Sequence, residues 1–531
     1  MDERAKIPVS LPCDKPTVSY WQDPPDPIAD HRTTPDLPPT ADTVIIGSGI
    51  TGTAVAWNLL QSRNPGTIVM LEARQACSGA TGRNGGHTKA ASYRTYAAHR
   101  AAHGARVAAQ VAALELRGIL ALHDFADAHA IPCDHLRPDF GPGGPGEKEG
   151  GRGGGGTAST TASTSTSTID VIYDPAEWAA AVSGVAAIQR DFPAGAPEAT
   201  YTLYSREEVL ERFRVHDVVV GSGGSGSEEQ AEEKVQGGVG YPAGSLSAYR
   251  FAICVLRLCL ERGLNLQTGT PVLELAKVEA ASPPPSPSST SSSTSSPPRR
   301  VWEVRTARGV IKAPRVVLAT NGYTAAIWKP FQGVVVPLRG QVTAQRPGRS
   351  MPRGGCLETT YSFVYRGGYE YMVSRPDGAR FAGDVVIGGG LARAEREGLS
   401  EFGTADDGAL NEGISSYLRE AAARYFGPDW GDDHPDGRVR NEWTGIMGFS
   451  PDGFPFVGEV PGESGLWTSC SFQGHGMVLC WMCARALVDM MEGRDDEQLR
   501  DWFPDVFRIT RERLALKFQG RLDSIPHVGD D

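Results

Sequence analysis

The chain has 531 residues and a formal net charge of −11 at pH 7, with 22% charged residues. Its length suggests about three domains. The acidic balance, with no basic stripe or Lys/Arg block, argues against a nucleic-acid partner, and no apolar run reaches the ~20 residues of a membrane span.

The N-terminus, MDERAKIPVSLPCDKP, lacks the charged-then-apolar pattern of a secretory leader. The terminal HVGDD matches no lipidation or retention signal, so a cytoplasmic protein without membrane association is expected. Residues 1–40 are Pro-rich and polar and read as an arm on the surface, with an anchor at Ser19-Tyr20-Trp21.

Residues 43–72 organise the rest. A short apolar strand runs into Gly47-x-Gly49-x-x-Gly52, a helical run follows, and a second apolar strand ends at Glu72, 20 residues after Gly52. In a βαβ nucleotide site Gly47 makes the tight turn. Gly49 admits a pyrophosphate to the backbone, and Gly52 lets helix and strand pack closely. The helix N-terminus offers N–H groups and a positive dipole end to the phosphates, and the Glu72 carboxylate can accept from ribose hydroxyls. This pattern specifies a dinucleotide and leaves NAD and FAD both open.

A Gly-rich connection follows, then a helix over about 99–129. Three low-complexity segments, 141–168, 221–236 and 281–300, cannot bury enough apolar surface to offset ordering entropy and read as disordered surface insertions. The third lies between alternating segments that read as a hairpin, with the insertion at its tip. Segments 169–192, 205–213 and 247–262 read as helices. Residues 330–440 form a β-rich block with aromatic strands at 360–365, 369–374 and 385–388 and a helix at 410–426. Helices at 477–491 and 499–518 close the chain. The expected organisation is the arm (1–40) and three nucleotide-domain segments, 41–140, 241–329 and 441–531, the last with the C-terminal helices. A helical substrate-domain segment at 169–240 and the main substrate domain at 330–440 complete it.

Nine cysteines are scattered through mostly apolar segments and read as reduced thiols. Cys480 and Cys483 form a C-x-x-C, but they sit in an apolar helical run with no second ligand pair. Core packing, and no metal site, is the expectation.

Four stretches point beyond a generic dinucleotide: 47–52 with Glu72, S-G-A-T-G-R-N-G-G-H at 78–87, V-L-A-T-N-G at 317–322, and G-H-G-M at 474–477. Together they resemble the D-amino-acid oxidase-type superfamily of FAD enzymes. The 78–86 run, the Trp443-Thr444-Gly445 step and the Tyr20-Trp21 arm look most like gamma-glutamylputrescine oxidoreductase and its fungal relatives. The resemblance implies an α/β (mixed α+β) fold, with a Rossmann-like FAD-binding domain and a second, β-sheet substrate domain. It places Gly47, Gly49, Ile50, Thr51 and Gly52 on the pyrophosphate, Glu72, Ala73 and Arg74 at the adenosine ribose, and Val272 at adenine. Thr81, Gly82, Arg83, Asn84, Gly85, Gly86 and His87 would pass beside the isoalloxazine. Asn321 and Gly322 join the cofactor set, and Gly474, His475, Gly476 and Met477 would face the pyrimidine edge.

Departures from the sarcosine-oxidase pattern add detail. Residues 445–451 hold no cysteine, which implies non-covalent FAD, with a linkage through His87 as the alternative. The substrate-carboxylate bases of those enzymes align with Val478 and with a position near Ser92, where Lys89 and Arg94 are the nearby substitutes. Their oxygen-activating lysine aligns at about Val386. The resemblance therefore implies oxidation of a C–N bond of an amine, polyamine-like or gamma-glutamylated. Hydride leaves the carbon beside a neutral amine for flavin N5, the imine hydrolyses, and O2 or another acceptor takes the electrons. An oxidase of sarcosine, glycine or D-amino acids, and a non-catalytic flavin-binding protein, are the alternatives. His87 and His475 are the candidate catalytic residues. Tyr361, Tyr365, Tyr369 and Tyr371 read as sheet core with one or two facing the substrate, Trp443 likewise, and Asp452 as a turn former rather than a partner of Glu459.

Overall fold

A computed structural model of the chain describes residues 1–141, 165–220, 231–279 and 300–520. The expected insertions at 141–168, 221–236 and 281–300 lie mostly outside these residues.

The strand Thr43–Ile46 stands at the centre of a six-stranded sheet. It pairs in parallel with Ile68–Leu71 on one side and Arg315–Leu318 on the other. Asn265–Gln267 extends the sheet beyond Ile68–Leu71, Leu466–Cys470 extends it beyond Arg315–Leu318, and Phe456–Glu459 closes that edge antiparallel. Thr43–Ile46 and Ile68–Leu71 are buried at every position, as parallel strands covered on both faces must be. Helices Ile50–Leu60, Ala248–Glu261 and Gly476–Met491 cover one face, joined by Ala105–Ala128. A three-stranded antiparallel sheet, Val272–Glu279, Arg300–Thr306 and Gly309–Ala313, packs on the other. Glu279 pairs with Arg300, so the strands flanking the 281–300 segment pair as a hairpin, and the segment itself lies, up to Arg300, outside the described residues.

The second large unit is a nine-stranded sheet. Val336–Gln345 pairs antiparallel with Val439–Phe449 and with Val385–Gly388, and Gly368–Ser374 and Thr359–Tyr365 follow. The sheet is not confined to 330–440. Ser165–Ile172 pairs parallel to Thr359–Tyr365, and Gly237–Pro242 and Thr202–Ser205 continue it.

Several sequence expectations need correction. Residues 169–172 are strand, not helix; the helix is Pro175–Asp191, started by Asp174, whose side chain accepts from the Ala176 and Glu177 N–H groups. Thr-Ile-Asp-Val-Ile alternates at period two, and sheet pairing overrides the helical run that follows. Strand pairing also reaches into two expected insertions, at 165–168 and at Ala231–Glu233, which pairs with Val218–Val220. The helix expected over 99–129 is two helices, Tyr93–His103 and Ala105–Ala128, separated by Gly104 at φ +84°. The stretch 499–518 is broken into Glu497–Trp502, a single 3-10 turn after Pro504, and Arg511–Leu514.

The arm is tied down at the expected anchor, Ser19-Tyr20-Trp21, and more deeply than a surface arm would be. Tyr20 is buried and stacks on Trp443, with ring centroids 6.0 Å apart and planes 10° apart. Its hydroxyl donates to Asp384 at 3.1 Å. Ser19 Oγ donates to the Gly82 carbonyl at 2.5 Å, and Trp21 Nε1 to the Asn84 carbonyl at 2.5 Å. The arm is therefore a strap laced across both sheets, not a surface tail.

Candidate active site

A cavity of about 330 Å³ runs from the C-terminal ends of the parallel strands to the inner face of the nine-stranded sheet. The end of a parallel α/β sheet is where such folds bind ligands.

At the first end Gly47 has φ +105°, and a Cβ there would lie 2.5 Å from the Ala319 carbonyl oxygen. A Cβ on Gly52 would lie 2.0 Å from the Gly47 carbonyl oxygen, so helix Ile50–Leu60 can seat against the strand only with glycine there. Gly47, Gly49, Ile50 and Thr51 line the cavity, whereas Gly52 supports it from behind. The Ile50 N–H is taken by Thr81 Oγ1 at 2.9 Å. Glu72 is buried at the end of its strand. Its Oε2 accepts from the Ser48 N–H and hydroxyl at 3.0 and 2.6 Å, and its Oε1 from the Arg74 N–H at 3.1 Å. A carboxylate has about four acceptor sites, so one remains for an occupant. Ala73, Arg74, Thr270 and Val272 line the wall beyond it.

The 78–87 segment crosses the middle, and Thr81, Arg83, Asn84, Gly85, Gly86 and His87 line the cavity while Gly82 does not. A Cβ on Gly82 would strike the Gln22 amide of the arm at 2.0 Å, and one on Gly85 would strike the Tyr371 ring at 2.2 Å. The Arg83 side chain turns away from the cavity. It donates to the Ser78 and Thr444 carbonyls at 3.0 and 2.7 Å and to the Thr17 carbonyl at 2.6 Å, and lies 3.3 Å from Asp407. Asp407, 1% exposed, also takes a two-pronged contact from Arg74 at 2.9 and 2.8 Å and the Cys13 thiol at 3.2 Å. Arg74 and Arg83 thus spend their charges on Asp407 and staple the arm down, while the Arg74 Nε is buried without a partner.

The late loop closes the third side. Ser471, Gln473 and Gly474 have φ +66°, +54° and +80°; left-handed backbone at non-glycine residues costs about 1–3 kcal/mol each. Asn321, itself at φ +44°, holds the loop by accepting from the Ser471 N–H at 3.0 Å. Gly322 packs against the Met447 carbonyl rather than lining the cavity. Gly474, His475, Gly476 and Met477 all line it. Helix Gly476–Met491 begins there, so the N–H groups of Gly476 and Met477 have no acceptor within the helix.

The far wall is built by the nine-stranded sheet through Gln341, Tyr369 and Tyr371, by Gly389 and Leu391 in the turn after it, and by Ile414 of helix Glu412–Phe426, with Lys89 beside them. Tyr361 and Tyr365 point to the other face, their hydroxyls on the Phe213 carbonyl and on Glu370. Trp443 is fully buried behind the 78–87 segment, its Nε1 on the Arg83 carbonyl at 2.7 Å. Asp452 pairs with Arg513 at 2.6 Å and accepts from the Phe454 N–H, as a turn former would. Cys480 and Cys483 are buried and free. Among the described residues no group of His, Cys, Asp and Glu is placed to hold a metal ion. Val386 is buried against Val342, Ala344 and Trp443.

Sequence reasoning missed the contributions of Leu11 and Pro12 from the arm, of Gln341, and of Leu391 and Ile414. These are ordinary residues with no local signature: Gln341 reaches the wall by strand pairing, Leu391 and Ile414 from a 3-10 turn and a helix packed on the sheet, and Leu11 and Pro12 from the arm.

His87 is the notable polar group. Its Nε2 lies 2.7 Å from Thr360 Oγ1, and with the Thr360 proton directed to the Ser167 carbonyl at 3.2 Å the assigned tautomer carries its hydrogen on Nε2. Its Nδ1 is buried without a partner. Burial, helped by the Lys89 charge, pushes its pKa well below the usual histidine value, so the ring is neutral. Lys89 Nζ contacts Asp170 at 2.7 Å and Ser362, and Asp170 also accepts from the Tyr93 and Tyr241 hydroxyls at 2.9 Å each. Every Arg and Lys of the cavity wall is therefore already ion-paired: Arg74 and Arg83 with Asp407, Lys89 with Asp170, and Arg339 with Glu401 at 2.7 Å.

The family described as FAD dependent oxidoreductase matches residues 42–151 and 166–490. The chain belongs to it. Similar proteins include glycine oxidase of Pseudomonas aeruginosa, 30% identical over 198 residues, which are 37% of this chain and 46% of that one. The probable oxidoreductase OrdL of Rhizobium meliloti is 24% identical over 283 residues, 52% and 54% of the two chains. The chain spans about half the length of the curated relatives it matches. Among solved structures, glycine oxidase from Geobacillus kaustophilus superposes with a TM-score of 0.59 at 18% identity, covering 89% of this chain and 99% of that one. L-Proline dehydrogenase from P. horikoshii gives 0.57 at 16%, covering 89% and 98%. These likenesses show the shared fold.

The cavity fits FAD. The glycine cradle opens beside a helix N-terminus, Glu72 keeps an acceptor, the partnerless His87 Nδ1 is available to a donor, and a second helix N-terminus faces the far half.

Proposed function

We propose that the protein oxidises the C–N bond of an amine, with a polyamine-like or gamma-glutamylated amine as substrate and FAD held without a covalent link. The observation that carries this reading is the pairing of every Arg and Lys in the cavity wall with a carboxylate. Among the described residues no Arg or Lys without a carboxylate partner remains there for the carboxylate of a small α-amino acid, whereas an amine needs only a dry wall. Tyr371, Leu391 and Ile414 supply that wall.

Bound FAD supplies the hydride acceptor. The chain's own work is to position and desolvate. A low-dielectric wall disfavours the ammonium form, so the substrate sheds its proton to solvent on entry and presents a neutral nitrogen. Neutral His87 has a lone pair at Nδ1 that accepts a hydrogen bond without adding charge. The N–H groups of Gly476 and Met477, with the helix dipole behind them, stabilise negative charge developing beside them. The product imine leaves to water and hydrolyses. The only cysteine in the wall among the described residues is Cys480, buried in the late helix, which supports non-covalent binding. The gamma-glutamylputrescine oxidoreductase-like grouping and the roles of the cofactor-binding set belong to this same proposal.

A second reading, an amino-acid oxidase, is favoured by the glycine oxidase relatives and by Lys89 in the wall. Anaerobic addition of putrescine and gamma-glutamylputrescine, against glycine, sarcosine, proline and D-amino acids, separates the two by flavin bleaching near 450 nm, an ordinary flavin band at about that wavelength. Bleaching by amines supports the first reading. Bleaching by free amino acids alone sinks it, and no bleaching by any of them favours a non-catalytic flavoprotein.

A further inference from the structure

A second cavity, of about 140 Å³, lies where the arm crosses the large sheet, and it shares no wall residue with the first. Its volume is close to the roughly 150 Å³ of an engineered protein cavity that admits benzene. Its walls are the rings of Tyr20, Trp21, Tyr249 and Phe381, with Arg250, Arg375 and Arg380 set among them.

The guanidinium groups here are short of carboxylate partners of their own. Arg250 and Arg375 reach the same oxygen, Asp134 Oδ2, at 2.7 and 2.5 Å. Of the other carboxylates nearby, Asp384 is engaged by Arg440 at 2.5 Å and Asp26 by Arg257 at 2.7 Å. Asp23 stands exposed at the rim, and Arg380 donates to its carbonyl. Arg250 and Arg375 thus share one carboxylate oxygen, and the hydrogen bond of Arg380 goes to a backbone carbonyl. The Arg375 side chain is 5% exposed, lies 4.9 Å over the Trp21 ring, and its Nε is buried with no hydrogen-bond partner. A buried N–H of a charged group left without an acceptor is unfavourable, and a guanidinium matches a carboxylate in geometry as well as charge.

We propose that this cavity binds a small carboxylate with a flat apolar body, its oxygens taken by Arg375 and Arg380 and its body set against Trp21 and Phe381. The occupant would be felt at the FAD site. Trp21 Nε1 holds the Asn84 carbonyl, and Tyr20 stacks on Trp443, which holds the Arg83 carbonyl. A ligand wedged on these rings braces the segment lining the first cavity.

The test is calorimetric titration of the FAD-loaded protein with benzoate, and with inorganic phosphate in parallel. It needs no turnover, so it stands apart from the catalytic reading. Saturable benzoate binding should weaken about tenfold or more in Arg380→Glu, an exposed residue outside the FAD cavity, while the flavin spectrum of the variant stays that of the wild type. Arg375→Gln should abolish the binding. If that buried variant does not fold, Arg380→Glu decides alone. Equal affinity in wild type and variants would place benzoate elsewhere, the FAD cavity included, and overturn the proposal. So would no binding up to about 10 mM, or phosphate binding tighter than benzoate with the same variant dependence.

Discussion

Asp407→Asn tests whether the arm is a structural part of the FAD site. Asp407 is buried and answers two guanidinium groups, Arg74 through two contacts at 2.9 and 2.8 Å and Arg83 at 3.3 Å. The neutral isostere keeps the volume but leaves both cations uncompensated in the interior. Removing one partner of a buried pair costs about 3–5 kcal/mol, and the upper part of that range is expected because one carboxylate serves two arginines. Burial pushes the Asp407 carboxyl up, but its hydrogen bonds and the charges of Arg74 and Arg83 outweigh burial and hold it below the usual aspartate value. The group's contribution is therefore fully present above the unfolded value of about 3.9 and is lost as pH falls through the lower folded value. Urea unfolding of the FAD-loaded protein at neutral pH reads the stability loss. Dilution followed by flavin fluorescence reads FAD release, which should quicken because Thr17, tied to Asp407 and to Arg83, anchors the strap. A stability loss below about 1 kcal/mol, the size of a surface pair, with unchanged FAD release, would refute the reasoning.

Gly52→Val should yield protein without FAD, since even a Cβ would lie 2.0 Å from the Gly47 carbonyl oxygen; the 450 nm band of the purified variant, set by the flavin, checks it. Gly85→Ala should displace the Tyr371 ring, which a Cβ would meet at 2.2 Å, and so raise KM more than it lowers FAD content, measured by steady-state kinetics against flavin absorbance. His87 has its pKa depressed by burial. The stability it contributes is present above the unfolded value of about 6.5 and is lost as pH falls below it. His87→Gln should flatten that part of the stability profile, and the reductive half-reaction of the wild type should show no histidine inflection between about pH 6 and 8.

Much of the cavity wall is legible in the sequence. The glycines at 47 and 52 announce themselves because a Cβ at either would strike backbone, and Glu72 because a strand of fixed length delivers it. The loop at 474–477 stands out because a helix start needs its glycines and free N–H groups. Side-chain direction was less legible. Arg83 and Arg74 carry charges that suggest ligand contact, yet both are spent on Asp407, more than three hundred residues away in the chain. The strand at 165–172 hid next to a helix because its partner, Thr359–Tyr365, is 192 residues away in the chain.

The amino-acid sequence by itself determined the dinucleotide cradle, since its signals are local: turn sterics, helix periodicity and the reach of one strand. The tertiary structure decided which Tyr residues face the cavity, that its basic groups are all paired, and that the arm is a strap. Those outcomes depend on long-range strand register and on which charges meet in the interior, and neither is encoded within any single stretch of chain.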